Sequence, residues 1–371
     1  MPRKRFILAG GGTGGHIYPA IAIASGLKRD FSDADIVFVG TDRGLERDLV
    51  PKAGFNLKKI RVKGFQRKLS LDTLSSIKEM FLGGLDSVKI LRQIKPDLVI
   101  GTGGYVAGPV IFFASVMGIP TIIHEQNVKP GITNRFLSNF VDRVAISFQD
   151  SVKYFPKNKT VLTGNPVRPE IAGGNRIKAL KEYGLAPDVP VVLCFGGSQG
   201  AARLNDAMIY VIEKVMRTKM FQVILVTGQR HYMNFSQLLE NKGINTDALG
   251  HIKLKPYIYD MQDAYAAADL VIARAGAISI SEITLCGKPA ILIPFPNAAG
   301  HHQDYNALFL KKNGAALVIE DKDLTGERLL KTIESIVLDK NKLSSMAAAS
   351  RKLSQPDALE KILSEIKKLI G

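Results

Sequence analysis

Tryptophan is absent from this chain, cysteine nearly so, and acidic residues are scarce. Two cysteines, Cys194 and Cys286, are too few for a disulfide framework, so a reducing compartment is expected. The start, Met1-Pro2-Arg3-Lys4-Arg5, runs straight into a short apolar segment and a glycine loop. It lacks the apolar core and small-residue cleavage site of a secretory signal. Against 34 acidic residues stand 50 lysines and arginines, a formal charge of +16 that asks for an anionic partner. Nucleic acid, anionic lipid headgroups and phosphorylated substrates all qualify, and charge alone does not choose among them. Its distribution says more: residues 49–71 hold no acid but carry Lys52, Lys58, Lys59, Arg61, Lys63, Arg67 and Lys68.

Residues 98–123 lack charge altogether and are long enough for a membrane-spanning helix. They are broken by Gly101, Gly103, Gly104, Gly108, Pro109, Gly118 and Pro120, which punctuate structure. The segment reads better as strand 97–101, glycine turn, buried helix 108–117 and strand 119–123.

What is present is the composition of a folded protein, 46% hydrophobic and 23% charged. A length of 371 residues exceeds what one core usually serves, so two domains are expected. Short apolar runs alternate with amphipathic stretches, the pattern of strands and helices around parallel sheets. Strands are expected at 5–9, 35–39, 57–61, 97–101, 119–123 and 143–147. In the second half they are expected at 189–195, 221–227, 251–254, 270–273, 290–293 and 315–318. Each half opens with a strand, a glycine-rich turn and a helix; the turns run from Gly10 to Gly15 and from Gly196 to Gly200. The expected class is α/β, with Rossmann-like domains over 1–163 and 164–352 and a hinge in the glycine- and proline-rich run 163–169. The tail, 353–371, places Leu359, Ile362, Leu363 and Ile366 on one helical stripe, with the N-terminal domain as its expected seat.

Several positions can carry chemistry. Gly10, Gly12 and Gly15 match the dinucleotide fingerprint, with Asp42 as the acid that such a site wants. Physically, the turn offers close backbone approach and helix N-terminal amides to an anion such as pyrophosphate. His16, where turn becomes helix, is either a general base near neutral pH or a capping histidine. Ser198 in the second turn is either an N-cap or a diphosphate ligand. Glu282, after a small-residue loop, can accept ribose hydroxyls or simply sit near the positive end of a helix. The runs Thr102 to Pro109 and His124-Glu125-Gln126-Asn127 fall at carboxyl ends of parallel strands, where open sheets bind ligands. His301-His302 lacks a second ligand pair at zinc spacing, and His124-Glu125 does not extend to a zincin motif, so no metal is expected. In the helix 71–92, Leu74, Ile77, Phe81, Leu85 and Val88 form a stripe for the core, with Met80 and Leu82 apolar outside it. Beside the basic run, this helix is either an interfacial attachment surface or an ordinary packed helix.

Six motifs occur in order: the glycine loop ending in His16, Gly103 to Pro109, His124 to Asn127, Gly164-Asn165-Pro166-Val167-Arg168, Gly196 to Gly200, and the Ser281-Glu282 loop. Over nearly its whole length the chain resembles the peptidoglycan glycosyltransferases that make lipid II from lipid I. The resemblance implies a GT-B fold, its two parallel-sheet domains facing across a cleft, with no cofactor. It implies inverting transfer from UDP-N-acetylglucosamine to the C4 hydroxyl of N-acetylmuramic acid on an undecaprenyl-diphosphate carrier. Donor contacts would come from Arg168, Ser198, Ile258, Ala277, Ile278, Ser279, Ile280, Ser281, Glu282 and Gln303, with Thr13, Gly14, Gly15 and Asn127 closing over the donor. Glu282 would take the ribose and the Ile258 backbone the uracil, while Arg168 and helix N-termini stabilise departing UDP. His16 is the implied base, with Tyr105, His124 and Glu125 shaping the acceptor site. The resemblance also implies attachment to the cytoplasmic face of an anionic bacterial membrane through Lys68, Leu74, Ile77, Phe81 and Leu82, and partners in cell-wall synthesis and division. Family members often carry tryptophan near that patch; here Phe112 and Phe113 stand without one.

The sequence leaves three rivals. A related transferase acting on another lipid, such as a diacylglycerol, is opposed by the runs at 103–109 and 124–127. An NAD-dependent oxidoreductase rests on the first glycine loop alone. A nucleic-acid-binding protein rests on charge alone, without a recognisable motif, and nucleic acid is not the expected partner.

Overall fold

The computed structural model describes residues 3–62, 71–197, 200–245 and 249–371, with side chains except at 71–78, 80 and 169. Lys68 and Ser198 lie outside the described residues, as do the side chains of Leu74 and Ile77. The chain forms two compact units, Met1–Val167 with Pro356–Gly371, and Arg168–Gln355.

In the first unit the elements run β1 (Arg5–Gly10), α1 (Gly14–Asp30), β2 (Asp35–Gly40), α2 (Glu46–Lys52), β3 (Asn56–Lys59), α3 (Leu71–Ile94) and β4 (Leu98–Gly103). They continue with α4 (Ala107–Val116), β5 (Thr121–Glu125), α5 (Ile132–Leu137), β6 (Arg143–Ile146) and β7 (Thr160–Leu162). Among the described residues seven strands form one parallel sheet in the order β3-β2-β1-β4-β5-β6-β7. The apolar runs are near-continuous because both faces are covered: Phe6 and Leu8 pack with α1, while Ile7 and Ala9 pack with α4. Strand order reverses at the β1–β4 pair, the topological point where open sheets leave a crevice at their carboxyl edge. The charge-free run 98–123 is β4, α4 and β5, as its glycines and prolines imply. β7 is absent from the expected strands because it is short, half-buried and at an edge.

Helix α3 corrects the expected core stripe. Phe81 and Leu85 are exposed, 69% and 53%, while Gly83, Gly84 and Ser87 face inward. A Cβ on Gly84 would lie 2.7 Å from the Phe113 ring, and one on Gly83 would lie 2.6 Å from the Arg61 carbonyl. Close backbone approach through two glycines therefore sets the rotation of the helix, overriding its larger apolar residues.

The second unit runs α6 (Arg176–Tyr183), β8 (Val191–Phe195), α7 (Ala202–Thr218), β9 (Gln222–Val226), α8 (Gln229–Asn241), β10 (Ile252–Lys255) and α9 (Met261–Ala267). Then come β11 (Leu270–Ala273), α10 (Ala277–Leu285), β12 (Ala290–Leu292), α11 (His302–Lys312), β13 (Ala316–Val318), α12 (Gly326–Val337) and α13 (Lys340–Lys352). Among the described residues its six strands are parallel in the order β10-β9-β8-β11-β12-β13. The final helix, α14 (Ala358–Ile370), belongs to the first unit. Its buried Ile362, Leu363 and Ile366 join the cluster formed by α1 and one face of the first sheet. Ile366→Ala should therefore destabilise the first unit by about 2–4 kcal/mol, read as a lowered urea midpoint.

Candidate functional site

In the first unit the site grows from the loop between β1 and α1. Gly12 has φ +85, a left-handed conformation that glycine adopts without strain. Thr13, in extended conformation, makes no side-chain cap, so the first amides of α1 stay available to an anion. His16 Nδ1 lies 3.1 Å from the Gly11 carbonyl and 3.3 Å from the Thr13 hydroxyl. A carbonyl only accepts, so Nδ1 carries the proton in that bond and Nε2 carries the lone pair. The ring lies against the end of β4: a Cβ on Gly103 would be 3.0 Å from His16 Cδ2 and 3.2 Å from Nε2. Tyr105 lies over the same loop, its ring 3.3 Å from where a Gly12 Cβ would stand. The structure thus brings Thr13, Gly14, Gly15, His16 and Tyr105 together at the carboxyl edge of β1 and β4.

The run after β5 has a different character. His124 is buried, with Nε2 3.0 Å from the Gly164 carbonyl and Nδ1 3.1 Å from the Gln126 amide. Its Nε2–H donates, holding β5 to the chain after β7, and its Nδ1 accepts from Gln126 just beyond β5, so both nitrogens are engaged. Burial depresses its pKa to about 4, against the opposing pull of the Gly164 carbonyl and the Glu125 charge. Glu125 is also buried, and its carboxylate takes four hydrogen bonds. Oε1 accepts from the Asn127 amide and side chain at 3.0 and 3.1 Å; Oε2 accepts from Gly131 N and Asn134 Nδ2 at 3.2 and 2.9 Å. These two residues fix the loop that carries Asn127 and Asn134, and the geometry gives neither a proton-transfer role.

In the second unit Gly200 is closely packed: a Cβ there would meet the Thr227 carbonyl, and His231 of α8 lies beside it. Glu282 lies in the first turns of a helix as expected, and that helix also takes up the small residues before it. α10 begins at Ala277 after an uncapped Gly276, so Ala277, Ile278 and Ser279 present their amides as an open N-terminus. Ile280 points into the core with its amide bonded to the Gly276 carbonyl, and Ser281 Oγ bonds back to the Ala277 carbonyl at 2.9 Å. Glu282, one helical turn further, is buried, and Tyr265 donates its hydroxyl to Oε2 at 3.1 Å. Burial raises the pKa of Glu282, opposed by the Tyr265 hydrogen bond and the nearby Arg168 charge. Tyr265 is wholly buried, edge-on to Phe195 at the end of β8, with ring centroids 6.1 Å apart. Ile258 is nearly buried between exposed Tyr257 and Tyr259, and no described residue takes its backbone amide or carbonyl. Gln303 accepts the Phe295 amide at 2.9 Å, which turns its own NH2 group outward as a donor. Half-buried Arg274 ties the same edge together, pairing with Asp321 and donating to the Ile293 and Pro294 carbonyls.

Sequence reasoning missed Glu46, Tyr265 and Arg274, which hold the loops without belonging to a recognisable motif. It also passed over two Asp-x-Asp triplets, 33–35 and 321–323. Asp35 opens β2 at the far end from the glycine loop, and Asp321 is engaged by Arg274.

Residues 6–146 match the glycosyltransferase family 28 N-terminal domain, and residues 191–362 match the family 28 C-terminal domain. A UDP-N-acetylglucosamine–N-acetylmuramyl-(pentapeptide) pyrophosphoryl-undecaprenol N-acetylglucosamine transferase of Desulforamulus reducens is 48% identical over 367 residues, covering 99% of each chain. A transferase of the same name from Acetivibrio thermocellus is 47% identical over 367 residues, covering 99% of this chain and 98% of that one. Among solved structures, MurG of Acinetobacter baumannii superposes with a TM-score of 0.79 at 29% identity, covering 98% of this chain and 99% of that one.

Because His124 is neutral in the fold and takes up a proton when unfolded, its contribution to stability has a definite sign. It is present above pH 6.5 and is lost as pH falls toward about 4. His124→Gln should remove about 3 kcal/mol of this acid sensitivity, measured as the slope of urea stability against pH.

Proposed function

The chain belongs to glycosyltransferase family 28, and from that premise we propose that it moves N-acetylglucosamine from UDP-N-acetylglucosamine to lipid I, giving lipid II and UDP. Its end-to-end likeness to transferases named for that reaction supports the substrate pair. The donor end rests on one observation, the buried Glu282 carboxylate held by Tyr265 near the open N-terminus of α10. A carboxylate there accepts ribose hydroxyls, and the Ile258 backbone offers a donor and an acceptor to the edge of a uracil. Arg168, Gln303 and the amides of α10 supply positive potential for a diphosphate.

The step is a single displacement. The C4 hydroxyl of the N-acetylmuramoyl residue gives its proton to His16 Nε2 while its oxygen forms the new bond to the anomeric carbon. The bond to UDP breaks on the opposite face, which inverts the configuration, and the electron pair leaves with the diphosphate. UDP release should depend on a lipid I analogue and should fall by about a hundredfold or more in His16→Ala, the scale of a lost general base. In Glu282→Ala the loss should appear mainly as a raised KM for the donor. Donor affinity of the wild type should weaken on acidification at a pH above the ordinary glutamate range, because burial raises the Glu282 pKa. Donor turnover with a different lipid and none with lipid I would remove the acceptor named here.

Among the described residues no helix is long and apolar enough to cross a membrane. We assign membrane attachment at the cytoplasmic face to exposed Phe81 and Leu85 of α3, with half-buried Leu82 between them. Exposed Phe136 and Phe140 pack with Phe112 on α4 and extend the apolar area in place of the absent tryptophan. Phe81→Glu should reduce co-sedimentation with vesicles containing anionic lipid while leaving UDP binding intact; unchanged sedimentation would move the surface elsewhere.

A further inference from the structure

Glu46 opens α2 and is fully buried, yet its carboxylate is bound by neutral donors from two loops. Oε1 accepts the Thr41 amide at 3.0 Å and the Thr41 hydroxyl at 2.8 Å, and Oε2 accepts the Gly12 amide at 3.0 Å. Glycines shape its seat: a Cβ on Gly11 would lie 2.7 Å from Oε1, and one on Gly44 would overlap Oε2. The Gly12 N–H belongs to the same peptide group as the Gly11 carbonyl, and that carbonyl accepts the Nδ1–H of His16 at 3.1 Å. A single planar peptide therefore stands between a buried carboxylate and the imidazole. Hydrogen bonds in such a chain polarise one another: charge on the N–H side enriches the carbonyl oxygen, and a stronger acceptor at Nδ1–H makes Nε2 more basic.

We infer that Glu46 is a positioning residue that acts on His16 through the Gly11–Gly12 peptide. It fixes the glycine loop, selects the Nδ1–H tautomer and raises the proton affinity of Nε2. The inference rests on the reading of His16 as the base. When the acceptor proton moves to Nε2, the imidazolium charge is stabilised along Nδ1–H to the Gly11 carbonyl and from the Gly12 amide to Glu46. The carboxylate itself takes no proton, as in triads where it bonds the histidine directly. The second contact of Nδ1, the Thr13 hydroxyl at 3.3 Å, has no link to Glu46. Other titratable groups near the ring are Tyr105 over Gly12, Tyr18 beside Gly14, and Glu125 behind Asn134; Asp42 and Arg43 lie exposed before α2.

The test combines imidazole 15N NMR of the full-length protein with transfer kinetics for wild type, Glu46→Gln, His16→Ala and the double variant. The wild-type spectrum should show His16 as the Nδ1–H tautomer. In Glu46→Gln the His16 titration and the acid limb of kcat should both move down by about one pH unit. Plateau kcat should fall about tenfold with both KM values within about twofold of wild type. In the His16→Ala background, Glu46→Gln should change kcat by less than about twofold, because the two residues act as a unit. An equal loss in both backgrounds, or an unmoved His16 titration, would reduce Glu46 to a brace for the loop. If Glu46→Gln does not fold, the wild-type tautomer decides: an Nε2–H ring overturns the relay. A wild type that transfers nothing to a lipid I analogue sinks the functional reading instead, and the ring spectrum still tests the peptide link.

Discussion

Burying a carboxylate is costly unless hydrogen-bond donors replace its water, and three such groups organise the edges where both sheets end. Glu46, Glu125 and Glu282 are 0%, 2% and 9% exposed. Each is held by neutral donors: amides and a hydroxyl for Glu46, amides and two asparagine side chains for Glu125, a tyrosine hydroxyl for Glu282. A carboxylate can gather several donors from separate segments, whereas an amide or hydroxyl has fewer acceptor sites to offer. That is why Glu46 and Glu125 sit where a loop must keep a shape its own sequence does not enforce. Glu46 sets the first glycine loop and Glu125 the turn into α5, while Glu282 ties α10 to Tyr265 of α9.

The loops themselves consist largely of residues without side chains because backbone must come close to backbone. At the β1–β4 junction the register shifts between Ala9 and Gly10, so Gly10 pairs with Gly103 where the strands part. His16 fills the space this leaves, lying across Gly103 with its Nδ1 on the Gly11 carbonyl. The same economy turns α3, whose two inward glycines let it sit close to the chain after β3 and to Phe113 of α4, with Phe81 and Leu85 outward.

Most of the architecture was legible because parallel strands buried on both faces announce themselves as apolar runs followed by glycine. The polar ends of β4 and β5 stood out as unusual for apolar strands, and in the fold His124 and Glu125 spend their polar atoms on hydrogen bonds to neighbouring loops. Rotation and bracing were not legible. An acid opening α2 looks like any helix-start acid, and nothing local says that Glu46 reaches back to Gly12 across 34 positions. Tyr265 carried a faint signal as the large residue among the alanines of α9, but its partner lies on another helix. The residues just before Glu282 read as a loop because they are small and β-branched; tertiary packing of Ile280 and Ile283 draws them into the helix.

The two histidines of the first unit show why residue type alone does not assign chemistry. Both stand at the carboxyl edge of the same sheet, and both bond a backbone carbonyl. In His124 the second nitrogen is taken by Gln126 and burial holds the ring neutral at ordinary pH, so it can only position. In His16 the carbonyl bond is made by Nδ1, which leaves the lone pair on Nε2, the nitrogen nearer Gly103. His124 is locked through both nitrogens, and His16 is tied to the glycine loop through Nδ1. The difference is decided by which nitrogen meets the carbonyl and how deep the ring lies, quantities set by neighbours dozens of residues away. Motif order can therefore place a histidine at a site, but only the bonds to its two nitrogens say whether it holds the site or works in it.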